Sequence, residues 1–312
     1  MSNSLPVSVA KKLIEISQHT PFAGLGGYSS EAFGQRGDAR PFPQGERESA
    51  AFEDFFAFFK RERIELAVRG RRLLDFGSGY GGRTVEYVRK FGAAEAWGIE
   101  PVPRHIELAQ QFAQSLGVTN CSFRLCGQTD IPLDDSSVDV VVSYDVIEHV
   151  KDPRLSLAEI HRVLAPGGVA FLAFPLYHGA MSHHLDYITR LPGLHWFFSP
   201  ETLVTAVNSF LTSEEGAKKF GTGVQPAPAL SFDQKRKVLP TLNGLTGDAF
   251  LAMLAAFEIV DLRFRPIYER RKVLGAPIRA LYAMGLNGRW RDAFAANLVC
   301  ELRKPDGTAR AN

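Results

Sequence analysis

Residues 71–88 read RRLLDFGSGYGGRTVEYV. An apolar run closes on Asp75 and opens into Gly77, Gly79, Gly81 and Gly82. This order predicts a strand, a tight loop and a helix. Leu73, Leu74 and Phe76 suit a strand buried on both faces. Glycine is required where a backbone turns sharply or another group approaches closely. A helix that starts just beyond the loop brings unpaired N–H groups to the strand end. The loop is therefore expected to offer bare amides to a ligand. Gly77, Gly79 and Gly82 also fit the G-x-G-x-x-G spacing.

The rest of the chain repeats the theme. AEAWGIEP (94–101), CSFRLC (121–126), VDVVVSYDVI (138–147) and VAFLAFP (169–175) read as strands. RHIELAQQFAQSLG (104–117) and PRLSLAEIHRVLAPGG (153–168) read as helices, the second closed by Pro-Gly-Gly. FEIVDLRFR (257–265) and NLVCELRK (297–304) add two strands, for seven in all. Strands alternating with helices predict an α/β fold with a mostly parallel sheet and helices on both faces. The alternation breaks over 176–254, which reads as an insertion. Residues 20–46 are rich in Gly, Ser and Pro and read as an irregular arm. Residues 47–66 carry Phe52, Phe55, Phe56 and Phe59 at helical spacing and read as one amphipathic helix with a core-facing stripe.

Bulk properties exclude several classes. At 312 residues with 45% hydrophobic content the chain can bury one large core or two. A net charge of +2 gives no reason to expect nucleic acid or an anionic membrane as partner. No apolar run reaches membrane-spanning length and the N-terminus lacks a signal-peptide core, so a cytoplasmic protein is expected. Cys121, Cys126 and Cys300 have no metal-ligand spacing and read as free thiols.

Two acids narrow the ligand. Asp75, at the end of the first strand, suits a cationic amino group and suits a pyrophosphate poorly. Glu100 ends the second strand, where a carboxylate holds ribose hydroxyls in such folds. With these residues the chain resembles the class I S-adenosylmethionine-dependent methyltransferases. LLDFGSGYGG is similar to their first motif and WGIEP to their second-strand acid. CGQTDIPLDDSSVDVVVSYDVIEHV resembles the third and fourth motifs, and EIHRVLAPGGVAFLAFP the helix and strand that follow. The likeness runs continuously over 71–175. It implies a Rossmann-like core over 47–175 and 255–305, an N-terminal arm or lid over 1–46, and an insertion over 176–254 that caps the acceptor site. It implies S-adenosyl-L-methionine as cofactor, with Asp75, Gly77, Ser78 and Gly79 at its methionine part, Glu100 at the ribose, Gln128 and Thr129 beside the adenine, and Tyr144 beneath it. Many relatives carry aspartate where this chain has Gln128.

Methyl transfer is an in-line displacement in which the protein supplies position and electrostatics. A hydroxyl acceptor also needs a base, and a histidine titrating near neutrality fits that role. The candidates are His183 and His184, with His149 of DVIEHV as a third. YHGAMSHHLDYITRLPGLHWFF (177–198) also supplies acceptor-binding candidates Tyr177, His178, Tyr187 and Trp196, and Tyr28 of the arm joins them. His183, His184 and Asp186 alone fix too few ligands for a metal, and none is expected. The sequence thus predicts O-methylation of a small or medium acceptor. A non-catalytic cofactor binder and a nicotinamide-dependent oxidoreductase are the alternatives. Oligomeric state is not encoded in any motif.

Overall fold

A computed structural model describes residues 5–24, 41–127, 129–185, 188–220, 242–267 and 272–306. In chain order the first elements are α1 (Leu5–Ser17), α2 (Pro43–Ala50), a 3-10 segment (Ala51–Ala57), α3 (Arg61–Val68), β1 (Arg72–Phe76), α4 (Gly82–Phe91), β2 (Glu95–Glu100) and α5 (Pro103–Ser115). There follow β3 (Cys121–Leu125), β4 (Val138–Tyr144), α6 (Pro153–Val163), β5 (Leu164–Phe174), α7 (Leu194–Phe197), α8 (Pro200–Leu211) and α9 (Glu214–Phe220). The last are α10 (Gly247–Leu251), β6 (Glu258–Pro266), α11 (Lys272–Ala283), α12 (Gly288–Ala293) and β7 (Ala295–Arg303).

All seven strands form one sheet in the order β3-β2-β1-β4-β5-β7-β6. The β1–β2, β1–β4, β2–β3 and β4–β5 pairs are parallel, and β7 runs antiparallel to β5. The order reverses between β1 and β4, so the crevice beyond the carboxyl ends of these strands is where such sheets bind ligands. Asp75 lies in register with Gly98 on one side and Val142 on the other, deep in the sheet's centre.

The chain divides into two compact units. One comprises 40–174, 248–263 and 298–312; the other comprises 1–39, 175–247 and 264–297. The first holds an aromatic core. Phe52, Phe55 and Phe59 are buried with Tyr87, Phe91, Val140 and Phe171. The rings meet edge to face, Phe52 lying 4.9 Å from Tyr87 and 5.2 Å from Phe91. The stripe is core, yet 47–66 is not one helix. It is the end of α2, the 3-10 segment and the start of α3, separated at Lys60, whose ψ of 127° is extended. Phe58 makes five phenylalanines within eight residues and lies off the stripe of the other four at helical spacing, yet it too is buried, which one straight helix would not achieve. A shorter α6 is a second difference. It ends at Val163, and the Pro-Gly-Gly lies inside β5, where the Gly167 amide donates to Lys304 O.

The second unit is mainly helical. α1 packs on α8 through Val7, Ala10 and Ile14 against Leu203, Ala206, Val207 and Phe210. No helix was expected over 5–17, although Val7, Ala10 and Ile14 carry an i, i+3, i+7 spacing. Its signal was blurred by Leu5, Val9, Leu13 and Ile16, which leave a second apolar face exposed. Residues 25–40, the bulk of the expected irregular arm, lie outside the described residues; α2 begins at Pro43. Among the described residues no helix is long and apolar enough to cross a membrane.

Candidate functional site

β1 delivers Asp75 and Phe76 to the glycine loop. Gly77, Gly79 and Gly81 have φ of +84°, +54° and +77°, a region open to glycine at little cost. Space is equally short. A methyl group on Gly77 would sit 2.3 Å from Val146, and one on Gly81 2.5 Å from Phe123.

The amides of this loop are not bare, which corrects the expectation from sequence. Gly77 and Ser78 donate to Ile99 O at 3.1 and 3.0 Å, and Gly81 donates to Ser78 O at 2.9 Å. Gly79 donates to Glu100 Oε2 at 3.3 Å. Tyr80 and Gly82 donate to Glu48 Oε1 and Oε2, each at 3.0 Å. The six N–H groups from Gly77 to Gly82 are therefore all used inside the protein. The reason is that buried backbone donors find partners, and here side chains of α2 and β2 reach them first.

What the loop presents instead is negative charge. Asp75 is buried and accepts a 2.6 Å hydrogen bond from Thr84 Oγ1. Burial pushes its carboxyl up to about 6, against the pull of Thr84 and the Arg83 guanidinium. Glu48, on α2, is pushed up to about 7 by burial, opposed by the Tyr80 and Gly82 amides and by Arg83. Glu100 is held from its other side by His105, whose Nδ1 lies 3.2 Å from Oε1. The His105 ring in turn lies 4.2 Å from that of Tyr80. Neither Glu48 nor His105 was singled out from sequence. Glu48 had no signal, because α2 lies far along the chain from the loop. His105 had a weak one, an aromatic ring in the first turn of the helix that follows Glu100.

The remaining cofactor candidates are distributed as follows. Ser78 is buried and its hydroxyl has no hydrogen-bond partner among the described residues. Thr129 is half-buried, and Gln128 lies outside the described residues. Tyr144 packs into the aromatic core, 5.2 Å from Phe58, with the Arg83 guanidinium 4.8 Å above its ring.

Three carboxylates, one guanidinium and an orphaned buried hydroxyl fit a cationic nucleoside with ribose hydroxyls. They do not fit a pyrophosphate, which would need the loop amides that Glu48 and Glu100 already occupy. A methyltransferase domain family matches residues 74–172, from the middle of β1 through most of β5. Residues 74–172 are a methyltransferase domain, similar to those of the class I S-adenosylmethionine-dependent methyltransferases. The cofactor of that family is S-adenosyl-L-methionine, and in this methyltransferase domain Asp75, Ser78, Glu100 and Thr129 are the residues available to hold it.

Similar proteins agree on the domain. An uncharacterized methyltransferase of Mycobacteroides abscessus is 31% identical over 159 residues, 47% of this chain and 60% of that protein. The ubiquinone biosynthesis O-methyltransferase of Cereibacter sphaeroides is 35% identical over 118 residues, 38% of this chain and 47% of that one. The chain thus spans about half the length of the curated relatives it matches. The crystal structure of a candidate sarcosine dimethylglycine methyltransferase from Galdieria sulphuraria aligns over 96% of this chain and 99% of its own. Its TM-score is 0.50 at 16% identity, a likeness of fold alone.

The histidines divide sharply. His183 is buried; its Nδ1 accepts from Leu185 N at 3.0 Å, so Nε2 carries the proton and donates to Leu191 O at 2.9 Å. Burial lowers its pKa to about 4. With both nitrogens hydrogen-bonded to backbone, His183 staples the 183–191 turn. His184 is half-buried with φ +52°. His149 follows β4, half-exposed, with Nε2 3.6 Å from Glu148 Oε1. The Glu148 carboxyl is buried with no hydrogen-bond partner among the described residues, and burial raises its pKa well above the usual range. In the helical unit the Trp196 indole donates to His178 O at 2.9 Å, and the Tyr177 ring lies 5.6 and 5.8 Å from His178 and His195. His195, which sequence reading passed over, is half-buried, and burial lowers its pKa to about 4 against the pull of the Tyr177 backbone. Tyr28, Asp186 and Tyr187 lie outside the described residues.

Proposed function

We propose that this protein is a methyltransferase that moves the methyl group of S-adenosyl-L-methionine to an oxygen of a small or medium acceptor. The observation that carries the reading is the acidic glycine loop, whose amides are spent and whose surrounding groups are Asp75, Glu48 and Glu100. The same observation disfavours a nicotinamide oxidoreductase. The bound cofactor supplies an electrophilic methyl on a cationic sulfur; the protein's share is to orient it, exclude water and accept a proton.

In this reading Asp75 meets the positive charge of the methionine part and Glu100 the ribose, with His105 holding the Glu100 carboxylate in place. Tyr177, His178 and Trp196 recognise the acceptor, and His184 or His149 takes its proton. Acceptor oxygen chemistry is supported by the relative from Cereibacter sphaeroides, which is an O-methyltransferase. The thiols of Cys121, Cys126 and Cys300 are free, which suits a reducing cytoplasm.

Calorimetric titration tests the seat. Asp75→Asn and Glu100→Gln should each weaken S-adenosylmethionine binding by about tenfold or more, the scale of a lost charge-assisted contact, and NAD should give no heat. Retention of full affinity by both variants rules the site out. For the base, His184→Ala or His149→Ala should lower turnover on the true acceptor by roughly 10²-fold or more without changing cofactor affinity. Full turnover in both removes histidine catalysis from the account, and no methylated product from any acceptor pool favours a binder that does not turn over.

A further inference from the structure

The grip of Glu48 on the loop has a use beyond packing. α2 meets the loop backbone so closely that a methyl group on Gly79 would fall 2.5 Å from Glu48 Oε1, and one on Gly82 2.2 Å from Gly45 O. α2 is fixed from behind by Ser49 Oγ, which donates to Glu86 Oε1 at 2.7 Å. Glu48 therefore places one carboxylate, both oxygens engaged, under the two residues that lead into α4.

We infer that Glu48 is a positioning residue of the cofactor seat, whose charge, added to that of Asp75, biases the seat toward the cationic cofactor over its neutral demethylated product. The inference rests on the reading that the nucleoside binds at this loop. S-adenosylmethionine carries one more positive charge than S-adenosylhomocysteine, so each added carboxylate charge nearby favours the first. Burial raises both carboxyls toward neutrality, Asp75 to about 6 and Glu48 to about 7. The groups that face Glu48 are few: Asp75 from β1, which opposes its charge, and Arg83 from α4, which favours it. Glu86 on α4 is neutralised by Arg89 and Lys90. α5 presents Phe112 to Gly45, and the 3-10 segment carries Asp54 and Glu53, the latter paired with Arg61. Loss of a proton from Glu48 thus strengthens binding of a cation, and binding of the cation expels that proton into solvent.

The experiment is calorimetry of both nucleosides at pH 6 and pH 8, on the wild type and on Glu48→Gln. The wild type should bind S-adenosylmethionine several-fold, up to about tenfold, more tightly at the higher pH, with a smaller change for S-adenosylhomocysteine. Binding in buffers of different ionisation enthalpy should report proton release for the cation. Glu48→Gln should flatten the pH dependence and shift the ratio of the two affinities toward S-adenosylhomocysteine by roughly tenfold at pH 8. Ser49→Ala, which loosens α2 without touching the carboxylate, should leave that ratio unchanged. An unaltered ratio in Glu48→Gln, or equal loss of both nucleosides together with a lowered apo melting temperature, makes Glu48 a strut and overturns the inference. Failure of the wild type to bind either nucleoside sinks the preceding reading instead.

Discussion

Gly82 has no room for a methyl group. An added Cβ would meet Gly45 O at 2.2 Å and Ser49 N at 2.5 Å, both backbone atoms that cannot rotate away. Gly82→Ala should therefore push α2 off the loop and cost about 1–3 kcal/mol, the usual range for overpacking. Urea unfolding at constant slope measures it. Gly92 is the contrast. Its φ is +68° and nothing lies within 4 Å of an added Cβ, so Gly92→Ala should cost only the strain of a left-handed residue, about 1–2 kcal/mol, and leave cofactor affinity intact. The two glycines look alike in sequence. One is needed for space, the other only for its dihedral angle.

At the scale of elements, helix ends carry a measurable share of stability. α6 starts at Asp152, whose side chain accepts from Arg154 N and Leu155 N at 3.0 and 3.2 Å, with Pro153 in the first turn. Asp152→Ala should cost about 1 kcal/mol, read from the urea midpoint. The division of 47–66 was not visible, because helical spacing of phenylalanines is compatible with one helix or with two segments bent around a shared core. The strands were legible for a plain reason: β1, β4 and β5 are buried on both faces, which demands unbroken apolar runs. β7 lies in the same sheet but antiparallel to β5, a direction that no residue pattern announces.

For the whole molecule, the raised carboxyls link stability to pH. Asp75 and Glu48 bind protons more tightly folded than unfolded, with folded values of about 6 and about 7 against ordinary ones of 3.8 and 4.5. The native state therefore holds more protons than the unfolded chain across that range, and their contribution to stability falls as pH rises from about 4 to about 7. Buried Glu148, also raised, acts in the same direction. Buried His183 and His195, lowered to about 4, act in the reverse sense, so the carboxyl contribution is read as a difference. Differential scanning calorimetry at fixed ionic strength measures the melting-temperature difference between wild type and Glu48→Gln, which should move against the wild type from about pH 4 to about pH 7; a pH-independent difference contradicts it. Asp75→Asn should remove part of the slope.

The order of strands and helices, the glycine turn after β1 and the acids at the ends of β1 and β2 were set by the sequence alone, because burial, dihedral freedom and charge act on neighbouring residues and leave local patterns. Tertiary structure decided which groups meet at the loop. It brought Glu48 from α2 onto the Tyr80 and Gly82 amides, set His105 against Glu100, and tied both nitrogens of His183 to backbone. Hydrogen bonds are satisfied by whichever partner the fold delivers, near or far in the chain. A donor that looks free in the sequence is therefore free only if no other element reaches it first.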